Sequence, residues 1–312
     1  MDNKSKEKLR RGPDLRKGVY IVPSLLTTAN IFCGFYSVLE ALKGFQKVAL
    51  SASLKNEVLQ SQAIHHFDLA AMCIGFSVLF DFLDGRIARM ANATSEFGVE
   101  LDSLADVLSF GIAPAVLVYS WAYSPIVELQ KIGWAVSFMF LVCGALRLAR
   151  FNVLARKPVQ DKSVKKYFVG MPIPAGASLI AAIVHFTPVP LIMRKTQIDL
   201  FGFIIDANFF SVLLMILTAV LALLMVSTVR YNNFKNTSDK QPTMSRNQTF
   251  LLIAIMILAI YQWSQVVLLV MATCYVSLGP VAKILSFFRP HSSTEDPSTG
   301  NVSSDVSLNQ QS

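Results

Sequence analysis

Four aspartates between residues 80 and 111 form the pattern in this chain that is best suited to chemistry. Asp81 and Asp84 are three residues apart, and Asp102 and Asp106 are four apart. On a helix, residues at these spacings project from one face. The connection between the two apolar segments that carry the pairs, residues 90–97, is short. We therefore expect two antiparallel neighbouring helices whose four carboxylates converge.

Four carboxylates cannot all stay ionised in a poorly hydrated site unless cations neutralise them. Oxygen ligands without a neighbouring Cys or His favour Mg²⁺, Mn²⁺ or Ca²⁺ over zinc, and two such ions held close together support phosphoryl transfer. One alternative is that the acids pair with Arg86, Arg89 and other cationic side chains. Another is an ion or proton pathway in a transporter, although that function favours acids spread along a route across the membrane.

Small residues accompany the aspartates. Gly85 and Ala88 follow the first pair on one side of its helix, and Gly98 lies one turn before Asp102. Their lack of bulk would let a planar base or a diphosphate approach the carboxylates, and Arg89 could then pair with a phosphate oxygen. Close helix packing is the alternative explanation for each glycine.

The elements that must position these residues are membrane-spanning helices. The chain has 312 residues, 53% apolar and only 15% charged, with a mean hydropathy of +0.49, which disfavours a soluble globular protein. Crossing a bilayer takes about 20 mostly apolar residues. About eight segments qualify: 20–42, 66–90, 99–123, 132–154, 173–191, 207–229, 248–263 and 265–287. The last two are separate only if the chain reverses near Gln262, Ser264 and Gln265; otherwise there are seven.

The net charge of +8 indicates topology rather than a nucleic-acid partner. With the N-terminus inside and eight spans, 22 Lys and Arg residues lie on the inner side and six on the outer side, as the positive-inside rule expects. Both termini and the loop 157–166 are then cytoplasmic, where they meet anionic lipid, and residues 43–65 are outside. We predict a basic cytoplasmic arm at 1–19, a membrane domain at 20–289 with its motif core at 81–106, and a disordered cytoplasmic tail at 290–312.

The aspartates and their small neighbours carry a family resemblance. The pattern Asp81-x2-Asp84-Gly85-x2-Ala88-Arg89-x8-Gly98-x3-Asp102-x3-Asp106 resembles the complete signature of the CDP-alcohol phosphatidyltransferases. The resemblance implies an all-α, polytopic membrane bundle with that family's fold. It also implies that the four aspartates bind two divalent cations, Mg²⁺ or Mn²⁺, at the diphosphate of a CDP-linked lipid, and that Asp106 acts as the base on the incoming alcohol.

Three flanking stretches resemble the phosphatidylserine synthase branch of this family: 23–37, 147–152 and 168–177. Pro23, Thr27, Thr28 and Asn30 lie at the inner end of the first span, and we predict that Thr28 and Asn30 contact the CDP-lipid, although a helix start and hydrogen bonds between helices would also explain such residues. Arg147 and Arg150 lie at the inner end of the fourth span. An arginine there could bind a serine carboxylate or a lipid phosphate, or serve only as a positive anchor.

The activity implied by the resemblance is transfer of a phosphatidyl group from CDP-diacylglycerol to the hydroxyl of L-serine, giving phosphatidylserine and CMP. The signature describes the CDP half of the reaction and not the alcohol, so glycerol 3-phosphate, inositol phosphate and choline remain alternative acceptors. The resemblance also implies a homodimer. A bacterial inner membrane with the site facing the cytoplasm is the expected location.

Overall fold

The structure is a computed structural model that describes residues 15–90, 96–155, 167–193, 198–200, 203–205, 207–227, 230–232 and 246–288. Most of the predicted basic arm and the whole predicted tail lie outside these residues. The described residues form seven long helices and four three-residue strands. The helices are α1 (Leu15–Leu54), α2 (Glu57–Met90), α3 (Glu96–Tyr123), α4 (Gln130–Ala155), α5 (Ile173–Phe186), α6 (Ala207–Val226) and α7 (Arg246–Phe288).

Seven helical stretches are long and apolar enough to cross a membrane, and the fifth of these extends past α5, from Ile173 to Met193. Large apolar side chains such as Leu25, Phe32 and Phe76 remain exposed on the bundle surface, where a lipid environment accommodates them. The predicted all-helical membrane bundle is confirmed, and the chain is an integral membrane protein.

Helices α1 and α2 form a long antiparallel pair. The sequence predicts a long outer connection at 43–65. The connection is much shorter, because α1 continues to Leu54 and α2 already begins at Glu57. The tight turn between them uses Lys55, whose φ is +50°. Few helix-breaking residues occur in this region, and the two helices stabilise each other by packing along their length. Ser37 Oγ, for example, donates to the carbonyl of Ala70 on α2 at 2.8 Å.

Helix α3 contacts α1, α2, α4, α5 and α6, so it lies at the centre of the bundle. It is not uniformly α-helical, because π-helical segments occur at Val107–Ile112 and Tyr119–Tyr123. The first of these begins directly after Asp106. Close packing against α1 depends on Gly34, since a Cβ there would lie only 2.8 Å from the backbone of Ser109. This contact brings together α1 and α3, two helices that carry site residues.

Two short strand pairs connect the later helices. Strand β1 (Tyr167–Val169) pairs antiparallel with β4 (Arg230–Asn232), and β2 (Ile198–Leu200) pairs with β3 (Phe203–Ile205). After β1 the chain turns into α5 at Gly170, whose φ of +87° favours glycine. The first pair therefore ties the start of α5 to the end of α6.

Helix α7 differs from the prediction of two separate spans. It is assigned as one helix and one candidate span, so the described residues contain seven spans rather than about eight. Its backbone is nevertheless interrupted at Trp263, with φ −133° and ψ +46°, inside the interval where the sequence predicts a reversal. The predicted break is present, and its form is a non-helical residue between two helical halves.

Candidate active site

The predicted convergence of the aspartates is present at the ends of α2 and α3. One carboxylate oxygen from each of Asp81, Asp102 and Asp106 lies within 4.8 Å of the others. These are the distances expected of ligands that share one cation. Residues 20 or more positions apart in sequence are brought together because α2 ends at Met90 and α3 begins at Glu96.

Asp84 is the fourth predicted ligand, and its side chain has a different partner. It is 4% exposed, and its Oδ2 accepts a hydrogen bond of 3.0 Å from Thr27 Oγ1 on α1. Three aspartates thus form the compact cluster, while Thr27 orients Asp84 beside them.

The cluster contains acceptors without partners. Asp102 Oδ1 and Asp106 Oδ1 are buried, and neither has a hydrogen-bond partner among the described residues. Arg89, which could have neutralised them, donates from Nε to the carbonyl of Gly85 at 2.8 Å. Arg86 lies over the ring of Phe82, 5.9 Å from its centre. The described part of the chain therefore gives no support to pairing of the aspartates with these two arginines.

Arg147 and Arg150 have different surroundings, although both lie on α4. Arg147 is half-buried and interacts electrostatically with Asp106, and its Nε is buried without a hydrogen-bond partner among the described residues. Arg150 is exposed. Three residues turn a helix by about 300°, and the 60° difference is enough to direct only one of the two side chains into the bundle.

The small residues of the signature open space beside the aspartates. A Cβ at Gly85 would meet only the Arg89 guanidinium, at 3.8 Å, so this glycine is not explained by close helix packing. Gly85, Ala88, Arg89 and Gly98 all line the same cavity. The structure thus agrees with the prediction that the family's small residues leave room for a ligand.

Of the two predicted contacts on α1, Thr28 does not lie at the site. It is exposed, and its hydroxyl donates to the carbonyl of Ser24 at 2.7 Å, whereas Thr27 reaches the site. Asn30 is fully buried, and neither polar atom of its side chain has a partner among the described residues. Its carbonyl accepts from Ser77 and Ser109, which fixes α1 against α2 and α3.

A cavity of about 1320 Å³ extends from the aspartates between α1, α2, α3, α5 and α7. Asp81, Asp84 and Asp102 line one part, and most of the remaining wall is apolar, including Leu79 and Leu268. Drug-sized ligands occupy pockets of roughly 300–1,000 Å³, so this cavity is large enough for a ligand with long apolar chains. A polar end with clustered carboxylates and a long apolar part match an amphiphile.

The donor set fits a hard divalent cation. The cluster offers only carboxylate oxygens, two of them buried without any other partner, and burying such charges is costly unless a cation neutralises them. No cysteine lies among them, and the four cysteines at 33, 73, 143 and 274 are free thiols.

Sequence reasoning named Thr27 without predicting its contact with the site, and it missed Tyr275. Thr27 belongs to a buried stripe of α1 that continues through Asn30, Gly34, Ser37 and Ala41, and this spacing of small and polar residues could have selected it over Thr28. Tyr275 on α7 also lines the cavity, and no signal in its neighbourhood distinguishes it from other apolar-segment residues.

Known proteins similar to this chain agree with the geometry. The sequence profile of the CDP-alcohol phosphatidyltransferase family matches residues 20–205. The chain is 34% identical over 223 residues to the CDP-diacylglycerol–serine O-phosphatidyltransferase of Helicobacter pylori strain J99, covering 70% of this chain and 74% of that protein. The protein of the same name from Saccharomyces cerevisiae is 35% identical over 178 residues, covering 56% and 58%, and that from Methanocaldococcus jannaschii is 37% identical over 163 residues, covering 52% and 63%.

The matched region begins in α1 and includes every aspartate of the cluster. Profile, relatives and site geometry thus agree on one assignment, and the chain belongs to the CDP-alcohol phosphatidyltransferase family.

Proposed function

We propose that this protein transfers the phosphatidyl group of CDP-diacylglycerol to the hydroxyl of L-serine, giving phosphatidylserine and CMP. The observation that carries the proposal is the cluster of Asp81, Asp102 and Asp106 at the polar end of a large apolar cavity. The relatives from a bacterium, a yeast and an archaeon all have names that describe this reaction.

The four aspartates would hold two divalent cations, Mg²⁺ or Mn²⁺, with Asp84 held in position by Thr27. When bound, the cations would neutralise the diphosphate and stabilise CMP as the leaving group. Asp106 would accept the proton of the serine hydroxyl while the hydroxyl oxygen of serine attacks the phosphorus next to the diacylglycerol. The bond from that phosphorus to the CMP oxygen then breaks, so that CMP departs with the electron pair.

The cavity explains how one site could serve a lipid and two water-soluble molecules. Its apolar walls suit acyl chains, which would enter sideways from the bilayer. Gly85, Ala88 and Gly98 leave room for the nucleotide end of CDP-diacylglycerol, and Arg89 lines the same cavity. Asn30 stabilises this end of α1 through its backbone rather than from the cavity wall.

Serine differs from the other candidate alcohols in carrying both an ammonium and a carboxylate group. Its site therefore needs a cation near the attacking hydroxyl. We assign this role to Arg147, because its charge interacts with that of Asp106 and its Nε has no hydrogen-bond partner among the described residues. Arg150, being exposed, suits contact with anionic lipid headgroups instead.

We also propose that the site faces the cytoplasm of a bacterial inner membrane, because over seven spans with the N-terminus inside 20 Lys and Arg residues lie on the inner side and eight on the outer side. Impermeant maleimide in intact cells tests this orientation. In a cysteine-free background, a cysteine at position 53 should react and one at position 163 should be protected. The reverse pattern would place the site on the other side.

The test of the reaction uses the full chain in detergent with CDP-dipalmitoylglycerol, Mn²⁺ or Mg²⁺, and a panel of alcohols. We expect CMP release and phosphatidylserine with serine, and reversible loss of both on adding EDTA. A lipid product formed only with glycerol 3-phosphate, inositol phosphate or choline would assign another acceptor to the same chemistry. Absence of CMP release with every alcohol would contradict the proposed transfer.

A further inference from the structure

A second group of polar side chains lies on the cavity wall, at a distance from the aspartate cluster. His185 Nδ1 lies 2.6 Å from Asp68 Oδ1, and His185 Nε2 lies 3.0 Å from Ser264 Oγ. These three residues, the triad, join α2, α5 and α7. Asp68 precedes Asp81 by 13 residues on α2, or about 20 Å along the helix at 1.5 Å per residue. The triad is therefore separate from the proposed cation site.

The order of the groups in the triad determines where its protons lie. An ionised Asp68 carboxylate can only accept a hydrogen bond, so His185 Nδ1 carries a hydrogen and donates to it. In the neutral imidazole the other ring nitrogen is then an acceptor, and the Ser264 hydroxyl donates to His185 Nε2. The imidazole is thus placed to take the proton of the hydroxyl, and the carboxylate is placed to stabilise the imidazolium that results.

The hydroxyl of Ser264 differs from other hydroxyls on the long helices. Thr28 and Ser178 donate to the carbonyl four residues earlier, as serine and threonine in helices commonly do. Ser264 instead bonds to an imidazole from another helix. Ser264 and His185 line the cavity, whereas Asp68 is not part of its lining. The hydroxyl and the base thus face the space that a ligand would occupy, and the acid lies behind them.

The backbone beside Ser264 supplies hydrogen-bond donors. Trp263 is not helical, with φ −133° and ψ +46°, so the second half of α7 begins at Ser264. The first backbone N–H groups of a helix have no carbonyl partner one turn before them. Next to a nucleophilic hydroxyl, such groups can donate to the negative oxygen that forms when a carbonyl carbon is attacked.

The wall around Ser264 suits a long acyl chain. Ile260, Leu268 and Met271 lie on the same face of α7 and line the cavity with it. The cavity of about 1320 Å³ is large enough to hold such a chain among these side chains. A carboxylic ester with a long acyl chain could then place its carbonyl group beside the hydroxyl. The chemistry of the triad and the shape of the wall therefore match the same class of molecule.

We propose that Asp68, His185 and Ser264 form a second catalytic site, which hydrolyses carboxylic esters of long-chain fatty acids. Ser264 Oγ forms a bond to the ester carbonyl carbon while His185 Nε2 takes the hydroxyl proton. The ester C–O bond then breaks, and the departing alcohol oxygen receives that proton from His185. Water attacks the acyl-serine in turn, its proton passes through His185 to Ser264 Oγ, and the fatty acid is released. This activity is independent of the proposed phosphatidyl transfer.

The test uses the full chain in detergent with EDTA, so that the aspartate cluster holds no divalent cation. The probes are p-nitrophenyl palmitate and a fluorophosphonate, which labels nucleophilic serines. We expect release of p-nitrophenolate and labelling at Ser264. Ser264→Ala should abolish both, and His185→Gln should lower both by about a hundredfold or more, as for loss of a general base. The matched control is Ser178→Ala, which removes a hydroxyl from the same cavity wall and should change neither.

Absence of both hydrolysis and labelling in the unaltered protein would overturn the inference, and this outcome does not depend on any variant. Hydrolysis that persists in Ser264→Ala and His185→Gln would also overturn it, because another group would then be responsible. Phosphatidylserine formation is measured separately with Mn²⁺, so failure of the proposed transfer and failure of the ester hydrolysis are distinguishable. Thermal unfolding of each variant separates a lost reaction from a lost fold, since the triad also joins three helices.

Discussion

The acids of this membrane bundle fall into two groups that differ in their partners. The proposed orientation places one group in the outer half of the bundle and the other at its inner end. In the outer group, Glu40 on α1 has His66 Nδ1 at 2.6 Å and Lys43 Nζ at 2.7 Å, and Asp68 on α2 has His185 at 2.6 Å. At the inner end, Asp102 and Asp106 each keep a buried oxygen without a partner among the described residues. An acid whose oxygens are paired with basic side chains stabilises the fold, whereas a buried carboxylate oxygen without a hydrogen-bond partner is available to bind a ligand.

The largest effect is expected from the inner group. Replacing Asp81, Asp84, Asp102 or Asp106 with Asn preserves size but removes a charged oxygen, so CMP release should fall by about a hundredfold to a thousandfold, as for removal of one electrostatic stabilising group from an active site. Thermal stability should be unchanged or higher, since an uncompensated charge is removed. Near-normal turnover in two of the four variants at saturating Mn²⁺ would show that the cluster is not a cation site.

The next largest effect is expected at Arg147. Its change to Ala should raise the serine KM by about tenfold to a hundredfold, corresponding to about 1.5–3 kcal/mol for a charged hydrogen bond, and a change to Lys should do so less severely. The CDP-diacylglycerol KM should stay the same. The control is Arg150→Ala on the same helix, which should affect neither value because that side chain is exposed. A rise in only the lipid KM would assign Arg147 to a phosphate.

A smaller effect is expected at the α1 end of the site. Thr27→Val removes the hydroxyl that orients Asp84 and keeps the side-chain shape, so turnover should fall severalfold, in keeping with about 1 kcal/mol for one hydrogen bond. Thr28→Val is the neighbouring control and should behave like the unaltered protein. Equal losses in both variants would mean that the hydroxyls act through α1 as a helix rather than through Asp84.

The smallest effect on turnover is expected in the outer group. Glu40→Gln leaves Lys43 and His66 without their carboxylate, so the thermal unfolding temperature should fall while the KM of serine and of CDP-diacylglycerol remains unchanged. A loss of activity comparable to that of the inner variants, without loss of stability, would remove the distinction between the two groups.

Sequence reasoning predicts what depends on local spacing. The bundle, the approach of the aspartates, the space at Gly85 and the break near residue 263 all follow from patterns within one or two helices. Rotation of a helix about its axis depends on its partners, which is why Thr28 was selected in place of Thr27. The same limit applies to Arg150, which shares a helix with Arg147 but lies on the exposed side.

Contacts between distant segments could not be predicted from a single chain. His185, for example, joins three helices through Asp68, which lies 117 residues away in sequence, and Ser264, which lies 79 residues away. Nothing local to either residue indicates its partner. Tyr275 was missed for the same reason, since its place in the cavity wall depends on how α7 attaches to the bundle.

The π-helical segment Val107–Ile112 has a consequence for how this helix can change during evolution. A π turn contains one residue more than an α turn, so deleting one residue there would restore an α-helix and leave the groups on either side in phase. A deletion between Asp102 and Asp106 would instead rotate Asp102 by about 100° about the helix axis relative to Asp106. We therefore expect functional homologues to tolerate deletion of one residue between 107 and 112, and not between Gly98 and Asp106.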